Sequence, residues 1–241
     1  MSTTLAAKGV TFSYRKGFHL GPVDLDLDPG RVVALVGKNG AGKTTLLRLL
    51  AGLLPPRQGQ MQLAGNDASQ TRLRQEVALA PTEPAFPPRA TVLDLLRLRC
   101  HHQGVDEKKS AKELEVSLGR PLSTFPYRLS RGQRMQLALH LAFLGDPPVM
   151  LADEPWSGLD PLAQDGTLKL LAKRGERAAV LISSHDLGNL AEVAHEFVFL
   201  HGGTVRFRGT LAEAAEIAGP GAHGVAALKV LFRRIAGIDS P

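Results

Sequence analysis

A glycine-rich segment at residues 37–44 has the sequence GKNGAGKT, which fits the phosphate-binding pattern G-x-x-x-x-G-K-[ST]. Its glycines allow backbone N–H groups to curl around phosphates without clashes from Cβ atoms. A helix that begins near Lys43 would direct the positive end of its dipole at the same anion. We expect Lys43 to reach the β- and γ-phosphates of a nucleotide and Thr44 to ligate Mg²⁺. The predicted nucleotide contacts in this phosphate loop and just after it are Gly37, Asn39, Gly40, Ala41, Gly42, Lys43, Thr44 and Thr45.

Two acidic residues, Asp153 and Glu154, follow the apolar segment 149–152 and supply the second half of this chemistry. Asp153 can hold Mg²⁺ through its water shell, and Glu154 can polarise the water that attacks the γ-phosphate. Taken alone, an acidic pair after a strand indicates a solvated loop. The catalytic interpretation of this pair therefore depends on the presence of the phosphate loop. We predict Lys43 and Glu154 as catalytic residues, and Thr44 and Asp153 as metal ligands.

The elements that position these residues are predicted from hydrophobic periodicity and from proline and glycine punctuation. Predicted strands lie at residues 5–14, 23–27, 32–36, 76–80, 149–152, 179–182 and 197–200. Predicted helices lie at residues 91–103, 107–118 and 131–144, and further helical stretches separate the later strands at the spacing of βα units. The order of elements indicates an α/β fold with a helical insert.

The segment Leu129-Ser130-Arg131-Gly132-Gln133 resembles the LSGGQ signature of the ABC (ATP-binding cassette) ATPases, and the likeness covers nearly the whole chain. The resemblance implies an α/β fold with a P-loop NTPase core, an N-terminal antiparallel β subdomain and an α-helical insert. One nucleotide-binding domain would span residues 1–241. Its predicted parts are a catalytic core at 1–88 and 146–220, a helical subdomain at 89–145 and a C-terminal helix at 221–241.

The signature residues are expected to serve a second subunit. A serine, a glycine and free N–H groups at a helix start form an anion-binding end, although in an unrelated chain an ordinary serine-capped helix is the better interpretation. The resemblance implies that Ser130, Gly132 and Gln133 close over ATP held by the other subunit. It also implies that Asp160, in a segment that resembles the family's D-loop (residues 157–160), contacts the opposite site. Neither copy would then have a complete site alone.

Two further residues take their predicted roles from the resemblance. Tyr14 falls where the family has an aromatic ring that stacks on adenine, although a tyrosine at a strand end is commonly just the edge of a core. His185 resembles the switch histidine that senses the γ-phosphate, and we count it with the catalytic residues. The alternative for His185 is a capped loop residue.

The chain departs from the family pattern at two positions. Thr82 stands where the family has a glutamine that binds Mg²⁺ and joins the core to the helical insert. Its side chain is too short to reach as far, so either Glu83 substitutes or a water fills the gap. Arg131 replaces the first glycine of the signature. We expect hydrolysis to be weakened or retuned rather than abolished.

The expected function is that of the ATP-hydrolysing subunit of an ABC transporter, with ATP and Mg²⁺ as cofactors. It would form a dimer, most simply a homodimer, and drive transport through a separate transmembrane permease subunit. The compact helical insert and the proline-rich residues 80–88 look most like cassettes of bacterial exporters. The alternative is a soluble ABC ATPase that acts on ribosomes or DNA; no nucleic-acid partner is expected, because the chain has neither a second cassette nor a long coiled-coil insertion.

Bulk composition agrees with a cytoplasmic protein that sits peripherally on the inner face of the cell membrane. No apolar run approaches the roughly 18 to 20 residues of a membrane-spanning helix, and the single cysteine, Cys100, excludes an internal disulfide. The formal net charge of +6 is spread along the chain, which is typical of a solvated surface. Residues 221–238 could form an amphipathic helix for anionic lipid or a plain helix packed on the core.

Overall fold

The computed structural model describes residues 4–15 and 17–237, and two sheets organise them. The strands are β1 (Leu5–Ser13), β2 (His19–Leu27), β3 (Arg31–Val36), β4 (Gln58–Leu63), β5 (Asn66–Asp67), β6 (Val77–Ala80), β7 (Val149–Asp153), β8 (Ala179–Ser184), β9 (Glu196–His201) and β10 (Thr204–Gly209). The helices are α1 (Lys43–Leu50), α2 (Gln70–Glu76), α3 (Val92–Gln103), α4 (Glu107–Leu118), α5 (Arg131–Phe143), α6 (Pro161–Gly175), α7 (Leu187–Val193), α8 (Leu211–Ala218) and α9 (Gly224–Ile235).

The central sheet has six strands in the order β10-β9-β3-β8-β7-β6. Strands β9, β3, β8, β7 and β6 are parallel, and β10 closes one edge as an antiparallel strand. Both faces of this sheet are covered, so its strands are nearly continuous apolar runs, as parallel sheets require. Because β3, β8 and β7 are neighbours, the loops that follow them meet at one edge.

A second, antiparallel sheet with the order β2-β1-β4-β5 lies over α1. Apolar side chains of β1 and β2 pack with those of α1 and with one face of β3, β7, β8 and β9 in a single core cluster. A second cluster covers the opposite face of the central sheet with side chains from α5, α6, α7, α8 and α9. Helix α1, which follows the phosphate loop, is therefore held between the two sheets.

Helices α3, α4 and α5 enclose a third, smaller core. The start of α3 is fixed by a reciprocal pair of hydrogen bonds between Thr91 and Asp94, and α4 is capped by the Asp106 side chain. Arg99 joins α3 to the end of α5, because its guanidinium donates to the carbonyl oxygens of Leu141 and Ala142 at 2.9 and 3.3 Å. These contacts make the helical segment a packed unit of its own.

The predicted α/β fold with its antiparallel sheet and helical insert is confirmed, and the three predicted insert helices agree with α3, α4 and α5 to within one residue. Several strand boundaries were wrong by one residue or more; β8, for example, ends at Ser184 instead of residue 182, and β10 was not predicted. Glu76 is the last residue of α2 rather than the first of a strand, and β2 begins at His19 instead of residue 23. In β2 the alternation of buried and exposed residues continues upstream through Gly21 and Pro22. The prediction began the strand after these two residues because glycine and proline usually mark a turn. The division of the chain into core, helical subdomain and C-terminal helix stays a prediction.

The C-terminal helix α9 packs on the protein instead of presenting a free apolar face. Leu228 and Leu231 are buried in the core, and the Phe232 ring meets Phe199 edge-on at 6.0 Å. Arg234 donates to two carbonyl oxygens at the end of α8. These contacts favour the packed-helix alternative; residues 238–241 of the predicted segment lie outside the described residues.

Replacing Gly175 with alanine is expected to destabilise the protein by about 1–3 kcal/mol, because the added methyl group has no room. A Cβ at this position would lie 2.3 Å from Cγ2 of Val32 on β3. Gly166 on the same helix is the matched control: among the described residues, no atom beyond its own stretch of helix lies within 4 Å of its Cβ position, and alanine there should stabilise α6 by about 0.5–1 kcal/mol. Urea unfolding of the two variants measures both effects, and equal free energies of unfolding would contradict the packing account.

His140 on α5 should make the fold less stable in mild acid. Burial lowers the pKa of His140 below its ordinary 6.5, against a smaller opposing effect of Glu113, and its buried Nε2 atom has no hydrogen-bond partner among the residues that the structure describes. The unfolded chain therefore takes up this proton first as the pH falls, and folded-state stability decreases below about pH 6.5. His140→Leu should reduce the loss of melting temperature between pH 7.5 and 5.5; an unchanged loss would contradict this account.

Candidate functional site

A cavity of about 410 Å³ opens where β3, β7 and β8 end. The register places Val36 beside Ser184 and Asp153 beside Ser183, so the phosphate loop, the acidic pair and the end of β8 converge there. Most of the predicted nucleotide-binding and metal-binding residues are on its wall. The lining residues are Tyr14, Phe18, Lys38, Asn39, Gly40, Gly42, Lys43, Thr44, Thr45, Thr82, Asp153 and Glu154.

The phosphate loop depends on glycine at two of its positions for different reasons. Gly42 has a φ of 108°, in the left-handed region, and a Cβ there would come within 2.8 Å of the Phe18 ring. At Gly37 the backbone of the loop passes close to β9, and a Cβ there would lie 2.6 Å from the Leu200 carbonyl oxygen. Helix α1 begins at Lys43 without a side-chain cap, so its first N–H groups face the loop as donors for an anion.

Lys43 and Glu154 lie opposite each other at the base of the cavity. The Lys43 ammonium donates to the Gly37 carbonyl oxygen at 2.7 Å and lies 3.6 Å from Glu154 Oε1. Both side chains are mostly buried, at 8% and 12% exposed. A phosphate in the cavity would give this ammonium a more highly charged partner without moving it out of the loop.

Thr44, Asp153 and Ser183 form a chain of oxygen atoms beside this pair. The Thr44 hydroxyl donates to Asp153 Oδ2 at 2.7 Å, and the Ser183 hydroxyl donates to the other carboxylate oxygen. Magnesium prefers such oxygen ligands and takes only one or two carboxylates from a protein. The oxygen atoms of Thr44 and Asp153 are therefore suitable ligands for Mg²⁺. Of the two alternatives at the next loop, Thr82 lines the cavity, whereas Glu83 does not: it lines an adjoining depression beside Arg131, which Thr82 also lines.

The Glu154 carboxylate is oriented by hydrogen bonds from the last residue of β8 and from the residue that follows it. His185 Nδ1 lies 2.9 Å from Glu154 Oε2, and the Ser184 hydroxyl donates to the same oxygen at 3.2 Å. Trp156 Nε1 donates to the Ser184 hydroxyl oxygen at 2.9 Å and so fixes that hydroxyl in turn. Glu154 itself has a φ of 49°, a left-handed conformation that is uncommon for a residue with a side chain. This arrangement can hold a carboxylate in position toward a water in the cavity.

Two aromatic rings form the outer wall of the cavity. Tyr14 is 40% exposed and packs edge-on against Phe12 with ring centroids 4.8 Å apart. Phe18 lies 6.3 Å from Tyr14 and against Gly42. The sequence interpretation identified Tyr14 and missed Phe18, Ser183, Ser184 and Trp156. Phe18 could have been predicted, because it is an aromatic residue only four positions after Tyr14. The two serines could not, because their place in the site is known only from the pairing register of the strands.

The signature residues are not on the cavity wall. Ser130 caps α5 by accepting from the Gln133 N–H at 3.1 Å, and the Gln133 side chain accepts from the Ser130 N–H at 3.0 Å. Asp160 caps α6 by accepting from the Ala163 N–H. Gly132 lies in the first turn of α5, against the D-loop. Within one chain, the structure therefore does not bring these residues together with the nucleotide cavity.

Comparison with known proteins identifies the family. Residues 20–157 match the protein family described as ABC transporter. The ABC-type transporter ATP-binding protein EcsA of Bacillus subtilis is 34% identical over 221 residues, which cover 88% of this chain and 89% of EcsA. The thiamine import ATP-binding protein ThiQ of Vibrio vulnificus is 34% identical over 80% of this chain and 86% of its own length.

Solved structures agree with the sequence relatives. An ATP-binding subunit of an ABC transporter superposes with a TM-score of 0.86 at 30% identity, covering 97% of this chain and 99% of its own. The dimeric structure of the ABC transporter cassette MJ0796 has a TM-score of 0.78 at 25% identity and covers 86% of this chain and 98% of its own. The match over the phosphate loop and acidic pair, together with these full-length relatives, shows that the chain belongs to the ABC transporter family, as one of its ATP-binding ATPase subunits.

Proposed function

We propose that this subunit binds Mg-ATP in the cavity, pairs with a second copy to enclose two nucleotides, and drives transport through a separate membrane subunit. One observation carries the proposal: the phosphate-binding and acidic residues share one cavity, while the signature residues point elsewhere on the same chain. A second copy can supply what the first lacks. The cavity residues of each copy would then bind a nucleotide, and its signature residues would complete the site of the other copy.

Each cavity residue takes a role that its position supports. Lys43 and the first N–H groups of α1 bind the β- and γ-phosphates, and Thr44 and Asp153 hold Mg²⁺. When bound, Mg²⁺ neutralises charge on the phosphate oxygens. Glu154 orients and polarises the attacking water, and His185 keeps the Glu154 carboxylate in place and responds to the γ-phosphate.

The aromatic wall is proposed to hold the base of the nucleotide. Tyr14 is partly exposed and presents a flat ring at the mouth of the cavity, which suits stacking on adenine. Phe18 lies between Tyr14 and Gly42. It therefore limits how far the base can shift toward the phosphate loop.

The N-terminal end of α5 offers backbone N–H groups that a partner's nucleotide could bind, which supports the proposed dimer. The N–H groups of Arg131 and Gly132 belong to the first turn of that helix, where no intrahelical acceptor exists. A γ-phosphate from a partner would satisfy them, with Ser130, Gln133 and the D-loop Asp160 at the border of the contact. The related cassette MJ0796 was solved as a dimer, which supports the pairing of two copies.

A membrane partner is proposed to dock on a groove of about 450 Å³ between the helical segment and the central sheet. Its wall includes Leu53, which is 53% exposed, and Pro84, Phe86 and Leu141. In residues 4–15 and 17–237, no helix has the length and apolar character to span a bilayer. We place the subunit on the inner face of the membrane, where a separate permease would hold it through this groove.

Export is the direction that we propose, from the compact helical segment and the proline-rich loop before it. ThiQ, one of the relatives, is an import protein by name, so direction requires its own test. A soluble role on ribosomes or DNA is the second candidate, and no contact in the cavity favours it. The positively charged residues are spread along the sequence and are not concentrated in one basic run, as a nucleic-acid-binding segment would have.

Glu154→Gln should lower kcat for Mg-ATP hydrolysis by at least about 100-fold, because the amide cannot accept the proton of the attacking water. ATP should still bind, since Lys43 and α1 are unchanged, and the variant should accumulate as an ATP-dependent dimer on size-exclusion chromatography. Glu176→Gln, in the exposed segment after α6, is the matched control and should behave as wild type. Equal turnover in wild type and Glu154→Gln would remove Glu154 from its role.

Affinity purification from detergent-solubilised cells should recover a multi-span membrane protein with this chain. Leu53→Glu should reduce that recovery, because it replaces an exposed leucine of the groove with a charged side chain and leaves the nucleotide cavity intact. Recovery with ribosomes or DNA and no membrane protein would overturn the transport proposal. Recovery of an extracytoplasmic solute-binding protein with the complex would overturn export in favour of import.

A further inference from the structure

Arg131, which stands where the family signature has a glycine, contacts the D-loop of its own chain. Its Nη2 atom donates a hydrogen bond to the Ser157 hydroxyl oxygen at 3.2 Å. The side chain also lies against Gly158, where a Cβ would come within 2.9 Å of Arg131 Cδ and 3.0 Å of its Nε. Gly158 has a φ of 76°, so glycine suits both the backbone conformation and the close approach. Arg131 therefore packs directly on the D-loop backbone.

A second contact joins the same two segments. A Cβ at Gly132 would lie 3.2 Å from Cδ2 of Leu159 and 4.0 Å from the Gly158 carbonyl oxygen. Leu159 is buried in the core cluster that also contains the apolar face of α5. The first turn of α5 and the D-loop are thus packed together, and the Arg131–Ser157 hydrogen bond adds a directional link at the edge of this contact.

The D-loop is connected to Glu154 by a short, hydrogen-bonded stretch of backbone. The Ser157 N–H donates to the Glu154 carbonyl oxygen at 3.0 Å, and the Leu159 N–H donates to that of Trp156 at 3.1 Å. Glu154 is held in turn by its own N–H, which donates to the Ser183 carbonyl oxygen on β8 at 3.0 Å. A shift of Glu154 in the cavity would therefore move Ser157 with it, and Ser157 is the residue that Arg131 binds.

We propose that Arg131 is a positioning residue that couples Glu154 of its own nucleotide cavity to the signature surface offered to the partner's nucleotide. This inference rests on the proposed dimer. The link sets the direction of the first turn of α5, whose N–H groups would face the partner's phosphate. A glycine at position 131 has no atom that could reach Ser157, so the link is specific to this chain's arginine.

Arg131→Ala and Ser157→Ala test the coupling through steady-state ATP hydrolysis. Each change should lower kcat by about fivefold to tenfold while KM for ATP changes by less than about twofold, because the phosphate loop is untouched. The double variant should be no slower than the slower single variant, since both changes remove the same hydrogen bond. Arg131→Lys should recover part of the lost kcat, because an ammonium can still donate to the Ser157 hydroxyl.

Arg128→Ala is the matched control, because this nearby arginine lies over the Tyr127 ring, 5.8 Å from its centroid, instead of on the D-loop. Its kcat should equal that of wild type, and all variants should keep the wild-type melting temperature. Equal turnover of Arg131→Ala and wild type would overturn the inference, as would losses that multiply in the double variant. If the Glu154→Gln protein forms no ATP-dependent dimer, the proposed function fails first, and the inference fails with it.

Discussion

The parallel pairing of β3 with β8 and of β8 with β7 is the constraint on which the nucleotide site depends. Side chains that are more than a hundred residues apart in the chain meet only because these three strands end at the same edge of the sheet. The phosphate loop follows β3. Asp153 is the last residue of β7 and Ser184 the last of β8, and Glu154 and His185 come directly after them. A one-residue change of register would turn Ser183 away from Asp153 and separate the groups that orient the two carboxylates.

This geometry also explains how two mostly buried charges are tolerated. An isolated ammonium or carboxylate costs several kcal/mol when it is removed from water. Lys43 and Glu154 lie 3.6 Å apart, and each has further hydrogen-bond partners in Gly37, Ser184 and His185. The cavity is thus electrostatically organised before a nucleotide arrives. Preorganised charges of this kind need little rearrangement when negative charge develops on the phosphate.

The sequence predicted the parts of the site that are encoded locally and missed those that depend on packing. The phosphate loop and the acidic pair are contiguous motifs next to apolar strands, so their chemistry and their position could be predicted together. Ser183 and Ser184 carry no such local signal, because their contacts with the acidic pair depend on which strand lies beside β7. Trp156 carries none either, because its hydrogen bond is to Ser184. The strands β4 and β5 were missed for a related reason: they are polar and largely exposed, and they are strands because β4 pairs with β1 and β5 pairs with β4.

The phosphate loop has one more contact, on its outer side, through Lys38. Its ammonium donates to the Ala236 carbonyl oxygen just after α9, at 3.2 Å, so the loop is attached to the segment after α9 as well as to the sheet. A displacement of α9 would therefore remove a hydrogen-bond acceptor from a residue that lines the nucleotide cavity, although α9 itself lies outside that cavity.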